Sequence, residues 1–496
     1  MNILFVNPST SRYTRSVSVP LGLLSIASYL ESFGYNVKIY DRTVDKTSLE
    51  DILESFSPDL AGISIVSYKS ITDAIKIAQQ LKSLSIPVIA GGPLPSVLAS
   101  QTLAHDCFDA VSVGEGELTW LELAEYYKNK VSQSHDMASL SEIKGLAVRG
   151  SDGSTLFTKT RPFADLATLA PLNWNLINVP KYFQSSYNCS KMLYLYSAKG
   201  CPFSCTFCYN KDFHKCTYRK RPLEFLLDEI RLLVTRYGMD GVYFADEMWC
   251  RNRDEMHDIC DSLKNLNLDF VWGCQTRIGI FDEDDFRYMY DSGCRWIFFG
   301  IESGSKNMLD KLNKRINYDK ICSTFTHCRN AQITTIGSFI TAIPDETEQD
   351  LQETVNLIEQ LDTKLININY LAVIPGSEIY KKLVGENKYH QTATLLEFSK
   401  QKPMERLEYN FSNIPDIDIK VIRAYYMWRS FTATDIPGTK KFSFAKKVIT
   451  DALKSIKTGN LISFIVSTFM AGAEFTKTAF YAHAFPSVKK KYGLKK

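Results

Sequence analysis

Cys201-Pro-Phe-Ser-Cys205-Thr-Phe-Cys208 places three cysteines in a C-x3-C-x2-C spacing. This stretch follows Gly200 and an apolar, β-rich run, Met192–Tyr196. A strand that leads into such a loop can direct three thiolates at one metal centre. Thiolates are the usual ligands of iron–sulfur clusters, and three of them leave one iron of a four-iron cluster open. The spacing therefore predicts a cluster with one coordination position for a substrate or cosubstrate.

Zinc sites and ferredoxins have cysteine patterns that differ from this one. Zinc sites combine a C-x2-4-C pair with a second pair of ligands, and ferredoxin runs supply a fourth cysteine. Unpaired cysteines are often core residues, but a strand, a glycine, this spacing and a basic loop in that order are more specific. No cysteine follows Cys328, so we expect one cluster. Most of the remaining cysteines are predicted to pack in the interior: Cys107, Cys189, Cys216, Cys250, Cys260, Cys274 and Cys294.

The composition is that of a globular protein. The chain has 496 residues, of which 45% are hydrophobic and 23% charged, which is long enough for two or three domains. Its 12 cysteines are too few for a disulfide scaffold. Met1–Val6 is typical of a strand and not of a signal peptide, and no apolar run of about 18 residues indicates a membrane span. We expect a cytoplasmic protein that binds no nucleic acid, although the net charge of +3 does not decide that point.

Residues 1–160 alternate strand and helix patterns. Apolar runs predict five strands, at Asn2–Val6, Asn36–Tyr40, Leu60–Val66, Pro87–Ala90 and Ala110–Val113. The alternation is typical of a Rossmann-like parallel sheet with helices on both faces. Ligands of such sheets bind in the loops after the strands, and the absence of G-x-G-x-x-G after the first strand argues against a dinucleotide. We predict these cofactor-binding residues in the loops: Ser67, Gly91, Gly92, Gly114 and Glu115.

Residues 191–384 repeat the alternation after a proline-containing linker at 161–190. Six strands are predicted, at Met192–Tyr196, Gly241–Phe244, Phe270–Gly273, Trp296–Phe299, Thr335–Thr341 and Leu365–Ala372. Each pattern ends in polar residues or glycine, and polar strand ends line the site of a β/α barrel. We therefore predict an α/β fold with an incomplete β6/α6 barrel as its second domain. Its candidate strand-end residues are Asp246, Glu247, Gln275, Arg277, Glu302 and Ser303.

Structural roles remain open for several of these residues. Asp246 and Glu247 could cap a helix N-terminus, where acidic groups are favoured. Glu302 could pair with Lys306 on a helix surface. The basic loop Tyr218–Pro222 could hold an anionic group or be a solvated loop.

Residues 385–496 are predicted to be a helical, lysine-rich region. From Lys440 to Lys496 there are twelve lysines and only two acids, Asp451 and Glu474. The apolar run Leu461–Phe469 is too short to span a membrane. Three alternatives remain: a helical cap over the substrate, a solvated basic tail, and contact with a membrane surface.

The cysteine loop resembles the signature of the radical S-adenosylmethionine (SAM) superfamily. The resemblance implies a [4Fe-4S] cluster on Cys201, Cys205 and Cys208, with SAM chelating the open iron, and it places Phe207 near the adenine. It also implies contacts with SAM from the strand ends. Asp246 and Glu247 are expected near the methionine amino group, Gln275 and Arg277 on the third strand, and Glu302 and Ser303 near the ribose.

The first domain resembles the cobalamin-binding domain that is fused to one large class of radical SAM enzymes. The resemblance rests on Pro20–Leu24, Gly62–Ser67, Gly91–Pro93 and Gly114–Glu117. The D-x-H-x-x-G motif that supplies a histidine to cobalt is absent, and Leu94 occupies a position where relatives often have histidine. The resemblance implies cobalamin without a histidine ligand. The alternative is a Rossmann-like scaffold that binds no cofactor.

Together the two resemblances imply a cobalamin-dependent radical SAM enzyme, most often a methyltransferase. SAM cleavage would generate a 5′-deoxyadenosyl radical that removes a hydrogen atom from an unactivated carbon, and methylcobalamin would supply the methyl group. We expect a small-molecule, lipid or peptide substrate and an electron donor such as flavodoxin or ferredoxin. Two alternatives stay open: a radical SAM cyclase or rearrangement enzyme with the same cofactors, and a non-catalytic sensor.

Overall fold

The computed structural model describes residues 1–10, 17–130, 140–186, 189–401, 406–433, 480–481 and 484–494. The chain forms two compact units that are discontinuous in sequence. The first unit comprises Met1–Phe183, Cys208–Phe225 and Ile374–Lys402. The second comprises Gln184–Phe207, Leu226–Val373 and Pro403–Lys496.

A seven-stranded sheet forms the centre of the first unit, with strand order β2-β1-β3-β4-β5-β6-β7. Its strands are β1 (Asn2–Asn7), β2 (Asn36–Asp41), β3 (Leu60–Ser64), β4 (Val88–Gly91), β5 (Ala110–Ser112), β6 (Leu146–Arg149) and β7 (Thr155–Phe157). The first five strands are parallel, and β6 and β7 are added antiparallel. The predicted parallel sheet is therefore confirmed, and its two antiparallel strands are an addition.

Helices cover both faces of this sheet. The helices of the first unit are Leu21–Ser32, Leu49–Phe56, Ile71–Ser83, Pro93–Val97, Ala99–Leu103, Glu117–Lys130, Asn210–Phe213, Glu378–Gly385 and Leu395–Phe398. Alternate residues of β1 enter opposite cores: Leu4 packs in the core with Ile71, and Phe5 packs in the core with Trp120. Because both faces are buried, the parallel strands are continuously apolar.

The segment interpreted as a linker, 161–190, is largely packed on the first unit. Leu166 and Leu169 are buried against Tyr29 of the first helix. The hydroxyl of Tyr182 donates to Oδ2 of Asp41, at 2.8 Å. Short 3-10 turns at Leu166–Thr168, Trp174–Leu176 and Val179–Tyr182 replace regular structure here.

The second unit contains a six-stranded, all-parallel sheet with strand order β15-β14-β13-β12-β11-β8. Its strands are β8 (Met192–Leu195), β11 (Gly241–Phe244), β12 (Val271–Thr276), β13 (Cys294–Glu302), β14 (Thr334–Thr341) and β15 (Leu365–Tyr370). Two further strands of two residues each, β9 (Ala198–Lys199) and β10 (Arg219–Lys220), are not part of this six-stranded sheet. All six predicted strands are present, which confirms the expected incomplete barrel.

Helices connect these strands. They are Leu223–Tyr237, Arg253–Asn265, Glu283–Asp291, Lys306–Lys311, Tyr318–Asn330 and Glu348–Leu361. A further helix, Asp416–Thr432, lies along the edge of β15. There Ser430 Oγ accepts a hydrogen bond from the backbone N–H of Ile366, at 2.8 Å, and Arg423 Nε donates to the carbonyl of Ile368, at 3.0 Å. These bonds satisfy backbone groups that an open sheet edge would expose.

The last described residues, 484–494, pack within the second unit. The helix Pro486–Lys491 ends in Lys491, whose Nζ is 2.9 Å from Asp418 and 2.6 Å from Glu348. Tyr492 is buried and its hydroxyl contacts Asp418. A solvated tail therefore does not describe residues 484–494, whereas most of the lysine-rich region, 434–479, lies outside the described residues. Within the described part of the chain, no helix combines the length and apolar character needed to cross a membrane.

Candidate active site

The cysteine loop begins after β9, at Gly200. Gly200 has a φ of 81°, a left-handed conformation that glycine adopts without strain. Cys201, Cys205 and Cys208 are all half-buried and form no disulfide. The loop contains no helix or strand between Cys201 and Cys208, so other segments must hold its backbone in place.

Two carboxylates after β11 hold the backbone that enters the loop. Oδ1 of Asp246 accepts hydrogen bonds from the backbone N–H groups of Ser197, at 2.8 Å, and Ala198. Oε2 of Glu247 accepts from the N–H of Gly200, at 3.0 Å. Burial raises the pKa of Asp246 to about 7, because a charged carboxylate loses its hydration. The helix-capping alternative is wrong for both residues, since the next helix begins at Arg253 and is capped by Asn252.

The middle of the loop is held by the end of the helix Lys306–Lys311. The N–H of Thr206 donates to the carbonyl of Leu312, at 3.1 Å. The side-chain amide of Asn313 donates to the carbonyl of Ser204, at 2.9 Å. The part of the loop between Cys201 and Phe207 is therefore fixed by backbone contacts that do not use the thiols.

Two cations lie beside the loop. The Arg277 guanidinium is 3.7 Å from the centroid of the Phe203 ring, and Lys314 Nζ is 5.9 Å from that of Phe207. Burial raises the pKa of Cys201, and the charges of Arg277 and Lys314 oppose this shift. Such charges favour thiolates as ligands. Nη2 of Arg277 is buried without a hydrogen-bond partner among the described residues, so it can receive a carboxylate.

Lys314 is a residue that the sequence reasoning missed. Its Nζ is 2.8 Å from Oε1 of Glu302, and both side chains are nearly buried. The expected alternative partner, Lys306, pairs with Asp310 instead. A Cβ at Gly300 would lie 2.5 Å from the Glu302 carboxylate, so the pair also requires glycine at this position. The only signal in the sequence was that a buried carboxylate such as Glu302 requires a cation as partner. This requirement does not indicate which of the many lysines is that partner.

The remaining barrel residues differ in their surroundings. Ser303 is fully buried, and its hydroxyl bonds to that of Thr354, at 3.0 Å. Gln275 is half-buried at the end of β12. The ribose and strand-end contacts expected of these residues stay predictions.

The loops of the first unit bring small residues to the ends of β3, β4 and β5. Gly92 has a φ of 97°, and a Cβ there would lie 3.0 Å from the carbonyl oxygen of Ile65. The N–H of Gly114 donates to Ser96 Oγ, at 2.9 Å, and Ser96 Oγ donates to the carbonyl of Gly92, at 2.8 Å. These bonds tie the loops after β4 and β5 together, and only glycine fits the tightest point.

Ser112 and Val66 lie at the same edge of the first sheet. Ser112 ends β5 beside Gly91, and its hydroxyl is buried without a partner among the described residues. Val66, after β3, is 62% exposed despite its apolar side chain. Ser67 accepts a hydrogen bond from the N–H of Lys69, at 3.2 Å, which shapes the turn. The edge thus combines an apolar surface with an unused polar group, as a large organic cofactor requires.

Glu115 has an internal partner. Both its carboxylate oxygens contact the guanidinium of Arg219, one of them at 3.0 Å. Nδ1 of His214 is 3.9 Å away, and the guanidinium lies 4.3 Å from the centroid of the Phe163 ring. The basic loop Tyr218–Pro222 therefore directs one of its arginines at a carboxylate of the same unit.

Comparison with known proteins agrees with this architecture. The B12 binding domain matches residues 13–124, and the Radical SAM superfamily matches residues 195–358. The chain is 27% identical to an uncharacterised methyltransferase of Pyrococcus horikoshii over 78% of this chain and 84% of that protein. It is 26% identical to cytidylyl-2-hydroxyethylphosphonate methyltransferase of Streptomyces wedmorensis, over 77% and 82%. It is 25% identical to anaerobic magnesium-protoporphyrin IX monomethyl ester cyclase of Rubrivivax gelatinosus, over 77% and 70%.

Solved structures share the fold. The radical SAM methyltransferase TsrM of Kitasatospora setae, with tryptophan and a SAM analogue bound, aligns with a TM-score of 0.63 at 18% identity. That alignment covers 78% of this chain and 76% of TsrM. A second TsrM structure, which contains cobalamin and a [4Fe-4S] cluster, aligns equally well.

The chain is therefore an enzyme that contains an amino-terminal B12 binding domain followed by a Radical SAM domain. This confirms the two resemblances, the fold class and the predicted set of cofactors, and it removes the support for a non-catalytic sensor. Three half-buried thiols stand in a loop whose backbone is held by hydrogen bonds from neighbouring segments, although no three or more His, Cys, Asp or Glu side chains among the described residues are grouped closely enough to hold a metal ion. Ser112 leaves a buried hydroxyl unused at the edge of the first sheet.

Proposed function

We propose that this protein is a methyltransferase that methylates an unactivated carbon of a small-molecule, lipid or peptide substrate. The proposal rests on one observation: the same chain combines a B12-binding sheet with a radical SAM barrel that retains its cysteine loop and polar strand ends. When bound, the cluster and SAM supply a 5′-deoxyadenosyl radical, and cobalamin supplies the methyl group. Two of the three relatives named above are methyltransferases, which supports the same reaction type.

The residues of the chain have distinct roles in this proposal. Cys201, Cys205 and Cys208 hold the cluster. Arg277 offers a guanidinium edge to the SAM carboxylate, since one of its nitrogens has no described partner. The glycines after β4 and β5 let the corrin approach the backbone closely. A flavodoxin or ferredoxin is the expected source of electrons.

Two reactions test the proposal before a substrate is known. The reduced, reconstituted protein should cleave SAM to 5′-deoxyadenosine and methionine, and Cys205→Ala should abolish this cleavage. With reduced cobalamin added, the protein should also release S-adenosylhomocysteine from SAM. Cleavage without any S-adenosylhomocysteine would refute methyl transfer while leaving radical SAM activity intact.

An oxidative cyclase is the second candidate, because the Rubrivivax gelatinosus relative is a cyclase of similar identity. A cyclase would use the same cofactors but would not consume a second SAM as methyl donor. Methyl-labelled SAM separates the two activities once a substrate is identified. Label in the product supports the methyltransferase, and an unlabelled, oxidised product supports the cyclase.

A further inference from the structure

Two aspartates at opposite ends of β11 bind the backbone at opposite ends of its neighbour β8. Asp240 precedes β11, and its carboxylate accepts hydrogen bonds from the N–H groups of Ser190, at 3.0 Å, and Lys191, at 2.6 Å. Asp246 follows β11 and accepts from the N–H groups of Ser197 and Ala198. The chemistry is the same at both ends, but only the second end leads into the cysteine loop.

The two carboxylates differ in burial. Asp246 is 1% exposed, whereas Asp240 is only partly buried. Oδ1 of Asp246 also lies 3.2 Å from the hydroxyl of Ser197, so this oxygen is fully used by the protein. Oδ2 is buried and has no partner among the described residues. Oδ1 is therefore not available to a ligand.

We propose that Asp246 is a positioning residue for the cluster, which fixes the backbone entering the cysteine loop through Oδ1. Glu247 holds the next part of the same backbone, because its carboxylate accepts a hydrogen bond from the N–H of Gly200, next to Cys201. A site of this kind needs its ligands held by supporting hydrogen bonds. Without Asp246, the N–H groups of Ser197 and Ala198 would be left buried and unpaired.

The role depends on an acceptor oxygen and not on negative charge. Asp246→Asn keeps a side-chain carbonyl where Oδ1 now lies, so it should preserve both backbone bonds. Asp246→Ala removes the acceptor. A direct contact with the SAM amino group would instead need the carboxylate, and both variants would then lose it.

The test uses the full chain with its cluster reconstituted under anaerobic conditions. The rate of iron release to a chelator and the electron paramagnetic resonance spectrum of the reduced cluster are measured before SAM is added. Asp246→Ala should release iron on the order of tenfold faster than the parent, with an altered spectrum. Asp246→Asn should stay within about twofold. Asp240→Ala removes the same type of bonds from the other end of β8 and should also stay within about twofold.

Two results would overturn the proposal. One is a parental rate of iron release in Asp246→Ala. The other is an intact cluster in both Asp246 variants together with loss of the spectral change that SAM induces, which would assign Asp246 to SAM binding. If Asp246→Ala does not fold, Glu247→Ala decides, because Glu247 is exposed and its replacement leaves the core intact. It should accelerate iron release about threefold, and a parental rate would then count against the proposal.

Discussion

The ion pair between Lys314 and Glu302 is nearly inaccessible to solvent, so its removal should have a large effect. Nζ of Lys314 is 2.8 Å from Oε1 of Glu302, and the two side chains are 11% and 8% exposed. Replacing Lys314 with methionine leaves a buried carboxylate without its cation. Breaking a buried pair in this way costs about 3–5 kcal/mol.

That free energy corresponds to a large change in melting temperature. For a folded unit of 150–250 residues, 1 kcal/mol shifts Tm by about 2–4 °C. We therefore expect Lys314→Met to lower the Tm of the second unit by roughly 10 °C. The double variant Glu302→Gln/Lys314→Met should recover much of this loss, because neither charge remains to be buried alone.

Differential scanning calorimetry of the anaerobically purified variants measures this effect. Lys306→Met is a matched control, since Lys306 also pairs with a carboxylate at 2.9 Å but is 91% exposed; its Tm should change by no more than about 1 °C. The reasoning would be refuted if Lys314→Met behaved like this control. It would also be refuted if the double variant lost as much stability as the sum of the two single variants.

Three further predictions concern buried groups elsewhere in the chain. Burial raises the pKa of Glu346 to about 8, so this carboxyl group stays protonated in the folded protein at pH values where it is ionised in the unfolded chain. The free energy of unfolding should therefore fall by up to about 1.4 kcal/mol per pH unit as pH rises towards 8, and Glu346→Gln should remove this slope in Tm measured from pH 5 to 8. Gly273→Ala should lower Tm by several degrees, because a Cβ would lie 2.2 Å from the indole of Trp296 and overpacking costs about 1–3 kcal/mol; an unchanged Tm would show that the indole moves freely. Arg219→Ala should lower the Tm of the first unit more than the double variant Arg219→Ala/Glu115→Gln does. An equal loss of Tm in both would mean that the contact between Arg219 and Glu115 does not contribute to stability.

The strands were the most predictable part of the fold. Strands buried on both faces are continuously apolar, and Leu60–Ser64 and Val88–Gly91 are of this kind. The antiparallel strand β7 was missed for the opposite reason. β7 has only three residues, with Leu156 and Phe157 exposed, and such a short run has no periodicity that distinguishes it from a loop.

The composition of the two units could not be predicted from the sequence. Residues 374–402 belong to the first unit, although they directly follow the last barrel strand. Nζ of Lys381 is 2.7 Å from Asp212, and Lys211 pairs with Glu378. These oppositely charged pairs join residues far apart in sequence, and nothing in their local patterns indicates which cation meets which carboxylate.

The polar residues at the carboxyl ends of the predicted strands located the candidate site. Their position alone could not separate residues that support the scaffold from residues that can bind a ligand. Asp246, Glu302 and Ser303 occupy the expected positions, yet Oδ1 of Asp246, Oε1 of Glu302 and the hydroxyl of Ser303 each bind a neighbour in the same unit. Those neighbours belong to other segments of the chain, so the strand sequence does not indicate that they need a hydrogen-bond donor or acceptor. Arg277 retains an unpaired nitrogen and Gln275 remains half-buried. Because a ligand can bind only where hydrogen-bonding capacity is left, direct recognition of SAM should rest more on these two residues of the third strand than on Glu302 and Ser303 of the fourth.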